Sequence, residues 1–152
     1  MRRIDKEITS QEAMDAVIKK ARVCRIALCD GDIPYIVPVC FGYKDMTLYV
    51  HSAPAGRKID ILKKNPHVCV EFDINAAVLR AAEACEWTIK YQSIIGYGQA
   101  VFLNNLEDKR EAFNIIMQQY SDDSFQFEDS DLRRTAVIKI KMKSLTGKQS
   151  GY

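Results

Sequence analysis

Apolar residues recur along the chain first at helical and then at strand spacing, and the change of period divides it into elements. Ala13, Met14, Val17, Ile18 and Ala21 fall on one face of a helix. Ahead of them, Thr9-Ser10-Gln11-Glu12 reads as a capping box, in which a hydroxyl and a carboxylate satisfy each other's orphan backbone amides. After Ala21 the pattern becomes that of strands. Val23 to Cys29 is a mostly apolar run ended by Asp30-Gly31-Asp32, whose D-G pair suits a hairpin turn. Pro34 to Tyr43, rich in β-branched and aromatic residues, turns at Lys44-Asp45, and Thr47 to Ser52 follows as a third strand. Two short turns between three strands predict an antiparallel meander rather than a βαβ unit.

Gly56 to Asn65 reads as a short helix stopped by Pro66, because the residue before a proline is pushed out of helical geometry. Val68 to Asp73 is another strand, and the alanine-rich stretch from Asn75 to Glu86 reads as a loop with helical turns. Trp87 to Leu103 is long for one strand, and Gly96-x-Gly98 marks a bend or bulge within it. Asn105-x-x-Asp108 opens a helix to about Tyr120, with Leu106, Phe113, Ile116 and Tyr120 along its stripe. Ser121 to Asp131 is an acidic surface loop. From Ala136 to Met142, Ile138, Ile140 and Met142 alternate with Lys139 and Lys141, as in a strand with one wet face. The sum is one domain over residues 1–152 that is mainly β. About six antiparallel strands form a small barrel, closed or split, with peripheral helices. An interior of that size fills with side chains, which sends any ligand to the outside or to a subunit contact.

Composition narrows the function. The chain is 47% apolar and 28% charged, enough for a packed core and too apolar for disorder. No apolar run reaches the roughly 20 residues of a membrane helix, which argues against a membrane protein. The charged start, Met1-Arg2-Arg3-Ile4-Asp5-Lys6-Glu7, leads into no apolar stretch, so the expected location is the cytoplasm. Lysine and arginine total 22 against 20 acidic residues, too even a balance for a nucleic-acid-binding face. The short basic pairs Arg2-Arg3, Lys19-Lys20, Lys63-Lys64 and Arg133-Arg134 read as solvated faces or helix ends. Five cysteines include no C-x-x-C pair. Cys24, Cys29, Cys40 and Cys69 lie in apolar runs and are expected to be reduced and buried. His67-x-Cys69 lacks the further ligands of a metal site, so no metal is expected.

The chemistry concentrates in His51-Ser52-Ala53-Pro54-Ala55-Gly56-Arg57-Lys58. A strand ends in a hydroxyl, and a loop then leads through a glycine and two cations into a helix. Helix N-termini offer unpaired amides and a partial positive charge, which favour an anion. Arg57 adds a forked donor and Lys58 a point charge, and both match phosphate oxygens. On spacing alone, a capped helix with surface cations explains the same residues. His51, one residue before Ser52, points to the opposite face of its strand.

The segments M-R-R-x-x-K-E-I, P-Y-x-V-P-V, L-Y-V-H-S-A-x-x-G-R-K-I-D-x-L-x-x-N-P-x-V, Y-Q-S-I-I-G-Y-G-Q-A, L-E-D-K-R-E-A and T-G-K occur in that order. In order and spacing they resemble the nitroimidazole-resistance flavoproteins of the pyridoxamine 5′-phosphate oxidase-like, split-barrel group, over nearly the whole chain. That resemblance implies a six-stranded split barrel of the FMN-binding type and a homodimer with flavin, FMN or FAD, at the subunit interface. Pro38 and Val39 would lie beside the isoalloxazine ring, and Ser52, Arg57 and Lys58 would hold the phosphate. Ser93, with Trp87 or Tyr91 nearby, would come from the long strand, from the same or the second subunit. His51 matches the family's histidine near the flavin's reactive face, the expected catalytic position.

Oxidation of vitamin B6 is not expected. The second strand, Val37 to Gly42, carries no cation, and the chain lacks the family's basic, histidine-bearing C-terminal motif. The expected activity is reduction of a nitroaromatic or related small acceptor. A non-catalytic flavin carrier and a haem-handling protein, with His51 or His67 as axial ligand, are the other readings.

Overall fold

The computed structural model describes residues 3–152; Met1 and Arg2, which belong to the basic start and its motif, lie outside the described residues. The chain runs through β1 (Glu7–Ile8), α1 (Gln11–Lys20), β2 (Cys24–Asp30), β3 (Ile33–Val39), β4 (Gly42–Lys44), β5 (Thr47–Ser52) and α2 (Arg57–Lys64). It continues through β6 (His67–Leu79), β7 (Thr88–Leu103), α3 (Leu106–Gln118), α4 (Asp129–Arg134) and β8 (Ala136–Ser150). The expected mainly-β architecture is found, with eight strands in place of six. All pairings are antiparallel, in the order β3-β2-β6-β7-β8-β5-β4, with β1 added on β8.

The two ends of that order, β3 and β4, are consecutive in the chain and separated only by Cys40 and Phe41. Three Cα steps from Val39 to Gly42 span at most about 11 Å, so the sheet has to curl until its two edges approach. No ladder joins them. The barrel is therefore split at this seam, and Phe41 fills it. Its ring is fully buried against Phe72 and Tyr120, at 5.0 and 6.4 Å between centroids, and its amide donates to the Tyr120 hydroxyl at 2.9 Å.

The meander expected from Val23 to Ser52 is corrected here. β2 and β3 form a hairpin and so do β4 and β5, but β5 pairs onward with β8 and not with β3. Gly31, with φ of +62°, opens the first turn, where a side chain would be strained. The second turn is Asp45-Met46, one residue later than expected, with both residues in the left-handed region. The first helix cap also moves by one residue: Ser10, not Thr9, accepts the Ala13 amide.

Two strands outrun their sequence signal. β6 continues to Leu79 through a bulge between Ile74 and Ala77, where Asn75 takes φ of +58°, so the first five residues of the expected loop are strand, while Ala84–Glu86 form a helical turn as expected. β8 runs past Met142 to Ser150 because β7 gives it a partner over that whole length. The glycine-marked irregularity in β7 is present, as a register shift between Tyr97 and Gly98.

Ile26, Leu28, Leu48, Val50, Val70, Phe72, Ile94, Ile138 and Ile140 point inward and fill the barrel. Inward and outward positions alternate, so only Cys24 of the four expected buried thiols is buried. Cys69 is half-buried, and Cys29 and Cys40 are exposed. Burial pushes the Cys24 thiol pKa upward. α3 lies outside the barrel, over β4 and β5, and buries Lys109, Ala112, Ile115 and Ile116. Of its expected stripe, only Ile116 is fully buried, while Leu106, Phe113 and Tyr120 are half-exposed. Part of the expected acidic loop winds into α4.

Contact between α3 and β4 is backbone to backbone. A Cβ on Gly42 would sit 2.5 Å from the Ile115 carbonyl and the Ile116 nitrogen. Gly42→Ala is therefore expected to lower unfolding free energy by about 1–3 kcal/mol in chemical denaturation, the cost of overpacking where backbone must shift. An unchanged midpoint would mean that α3 does not press on this strand.

Candidate functional site

β5 carries the chain out of the core and into the site. Leu48 and Val50 anchor it inside the barrel, so His51 emerges on the outer face at its end, with Ser52 half-buried on the other. Ala53 to Gly56 form an exposed loop. Gly56, with φ of +123°, turns it into α2 in a conformation that a side chain would strain. Ile59, Ile61 and Leu62 then bury one side of α2 and fix its direction.

The start of α2 bears no side-chain cap. Its first intrahelical bond runs from the Asp60 amide to the Gly56 carbonyl, so the preceding amides have no partner within the helix. Arg57 and Lys58 stand beside them. Arg57 places its guanidinium 4.8 Å from the Tyr35 ring centroid, which orients it without neutralising it. Among the described residues neither cation takes part in an ion pair. Lys58 is half-buried, and that burial lowers its pKa. Unpaired amides, a fork and a point charge make a cradle for an oxyanion.

His51 belongs to the same corner. Its ring packs on Phe113 at 5.5 Å between centroids, and Phe113 in turn packs on Phe127 at 5.1 Å. Arg110 of α3 holds that wall in place by donating to the Phe127 carbonyl and pairing with Asp129. Burial, and secondarily the Lys58 charge, lower the His51 pKa, so the imidazole is neutral at pH 7. A neutral ring donates a hydrogen bond from one nitrogen and accepts one at the other.

Lys58 is thus near enough to His51 for its charge to act on the imidazole, with Ser52 and Arg57 adjacent to them in the chain. Pro38 and Val39 do not share a face: Pro38 is exposed on the outside of β3, and Val39 packs toward the core. Tyr91, Ser93 and Trp87 lie elsewhere. His51 pairs with Val137 and Val137 with Leu103, ten residues along β7 from Ser93, or roughly 33 Å at the rise of a strand. Trp87 is farther still, at the tip of the β6–β7 hairpin, where its indole donates to the Ala81 carbonyl. His67 is at the start of β6, 3.4 Å from the Gln99 amide nitrogen. Tyr35 and Phe127 escaped the sequence reading, and Phe113 was expected on the packing stripe of its helix and not at the site. A phenylalanine in an acidic loop was the available signal for Phe127.

Residues 10–149 match the family described as pyridoxamine 5′-phosphate oxidase. The chain is 33% identical to a candidate 5-nitroimidazole antibiotic resistance protein from Bacteroides thetaiotaomicron VPI-5482, with a TM-score of 0.85 over 93% of this chain and 85% of that one. The FAD and heme binding protein from Mycobacterium smegmatis shares the fold, with a TM-score of 0.87 at 18% identity over 97% and 74% of the two chains. An uncharacterised protein of Rhizobium meliloti (strain 1021) is 36% identical over 64 residues, a match that spans 42% of each chain. Among the described residues no helix is long and apolar enough to cross a membrane.

The His51 environment is directly measurable. In an NMR titration its midpoint is expected below the ordinary 6.5, with Phe113→Ala raising it more than Lys58→Gln because burial is the larger cause. The unfolded chain takes up this proton more readily than the folded one. His51 therefore contributes its full stability above pH 6.5, and the contribution is lost as the pH falls below that value. A midpoint at or above 6.5 would contradict the packing described.

Proposed function

The chain belongs to the pyridoxamine 5′-phosphate oxidase family, and on that premise we propose that it is a flavin-dependent oxidoreductase of the nitroreductase-like kind, acting on a nitroaromatic or related small acceptor. One observation carries the reading: two cations without ion-pair partners among the described residues flank the uncapped amides of α2, beside a histidine. That donor set fits the phosphate of FMN, and equally the first phosphate of FAD. The likeness to the nitroimidazole-resistance structure, at 33% identity, favours a nitro group over other acceptors. When bound, the flavin supplies the electrons and the chain supplies position and polarity.

Each residue then has a task. The α2 amides, Arg57 and Lys58 hold the phosphate, with Ser52 as a further donor. Tyr35 keeps the Arg57 fork oriented. His51 directs a ring N–H outward, where it hydrogen-bonds or protonates the acceptor as that is reduced. Phe113 and Phe127 limit water on one side of that ring.

A homodimer completes the site in this proposal. Ser93 and Tyr91 are too far along β7 to reach His51 of their own chain, so in this reading they serve the partner's site. The outer faces of β3 and β7 support the pairing, with Ile36, Ile95 and Tyr97 at 58%, 39% and 57% exposure. On β2 and β6, between those strands, Arg25 pairs with Glu71 and Asp73.

Arg57→Ala/Lys58→Ala is expected to weaken flavin binding at least 100-fold in a fluorescence titration, since charge-assisted bonds are worth about 1.5–3 kcal/mol each. His51→Ala is expected to keep flavin and slow nitroaromatic reduction by ~10²–10⁴-fold, with His51→Gln separating a hydrogen bond from proton transfer. In proton transfer the wild-type rate rises as pH falls toward a midpoint below 6.5, and the Gln variant loses that rise. Unchanged flavin affinity in the folded double variant would sink the cradle. A fully active His51→Ala protein would reduce the histidine to packing.

A further inference from the structure

Beside the loop before α2 lies a cavity of about 290 Å³ that none of Ser52, Arg57 and Lys58 lines. Pro54, Phe102 and Leu103 contribute apolar surface to its wall, with Ile59 and Val137 buried behind it. Its charged lining is Lys63, Lys109 and Arg133: three cations from three helices or their ends, and no carboxylate.

Lys109 is the unusual member. Only 8% exposed, it directs its ammonium to the carbonyls of Leu132 and Thr135, at 2.9 and 2.7 Å. Those bonds reach two carbonyls at the end of α4, one of which also accepts the Thr135 amide, and a purely structural role accounts for that much. It does not account for the charge. An ammonium has three donors and two are taken, and among the described residues Lys109 has no ion-pair partner. Buried charges are ordinarily paired, and here further cations gather instead of a carboxylate. Arg133 is available as well. Its contact with Asp129 is long, at 3.9 Å, and Asp129 is held more closely by Arg110, at 2.5 Å.

We propose that this cavity is a second anion site, which binds a compact phosphate monoester or carboxylate through Lys109, Lys63 and Arg133 and seats its small apolar body against Pro54, Phe102 and Leu103. The volume is at the low end for small-molecule pockets, enough for one ring or a short carbon chain. The lysines supply point charges and Arg133 a forked donor that matches either oxyanion. The site stands on its own residues, independent of the flavin reading.

The test uses the Arg57→Ala/Lys58→Ala protein, so that the cradle cannot bind the probes, and follows backbone amides by NMR during titration with inorganic phosphate and, separately, with benzoate. Saturable shifts at Lys109, Leu132 and Thr135 are expected. Saturation with phosphate alone assigns a phosphate ester, and with benzoate alone a carboxylate. Adding Lys63→Ala/Arg133→Ala, both on the cavity rim, is expected to weaken the response about tenfold or more while the spectrum stays that of a folded protein. Non-saturating shifts with both probes would overturn the site, as would saturable shifts that the added substitutions leave unchanged. Neither result bears on flavin binding, which is measured on the unaltered cradle.

Discussion

A β-strand advances about 3.3 Å per residue, and that rise decides how this molecule assembles a site. His51 is level with Leu103, at one end of β7, while Ser93 and Tyr91 are ten and twelve residues away. Ser93 and Tyr91 lie on β7 and His51 on β5, and both strands are laddered to β8, so neither can swing toward the other. In the proposed arrangement these are two half-sites facing different places. The proposed dimer is the arrangement in which a rigid ladder becomes useful, since a second copy brings the far half of one β7 to the near half of the other.

Charge is arranged with the same economy. Arg57 and Lys58 project from a helix whose other side is sunk in the core through Ile59, Ile61 and Leu62, so the cradle is rigid before any anion arrives. Holding unpaired cations near unpaired amides costs stability in the empty protein, and a bound oxyanion relieves it. The neutral state of His51 is part of this balance: a protonated ring beside Lys58 would add a third positive charge to the corner.

How much of this is legible in the sequence depends on which force placed each residue. The α2 boundaries are read correctly because Gly56 and Pro66 punctuate the backbone locally. β5 is read correctly from its alternation, as is the mainly-β class. The meander fails because Cys40-Phe41 gives no turn signal; the chain crosses the barrel seam there, and only the aromatic contacts of Phe41 in three dimensions reveal it. Asn75 to Leu79 and Lys143 to Ser150 lack alternation because their strands are held by partners on β7 and not by a buried face. In the site, His51, Ser52, Arg57 and Lys58 are contiguous in the chain and therefore visible. Tyr35 and Phe113 act through space, and nothing near them in the sequence announces it.

A mixed-dimer experiment tests the shared site most directly. One chain would carry Arg57→Ala/Lys58→Ala, without a cradle, and the other Ser93→Trp, with the far half blocked. Each variant alone is expected to bind no flavin. Refolded together, the mixture is expected to regain one flavin per heterodimer, because one of its two sites is built from two intact halves. A Ser93→Trp protein that binds flavin fully by itself, or a mixture that stays empty, would contradict a site divided between two chains.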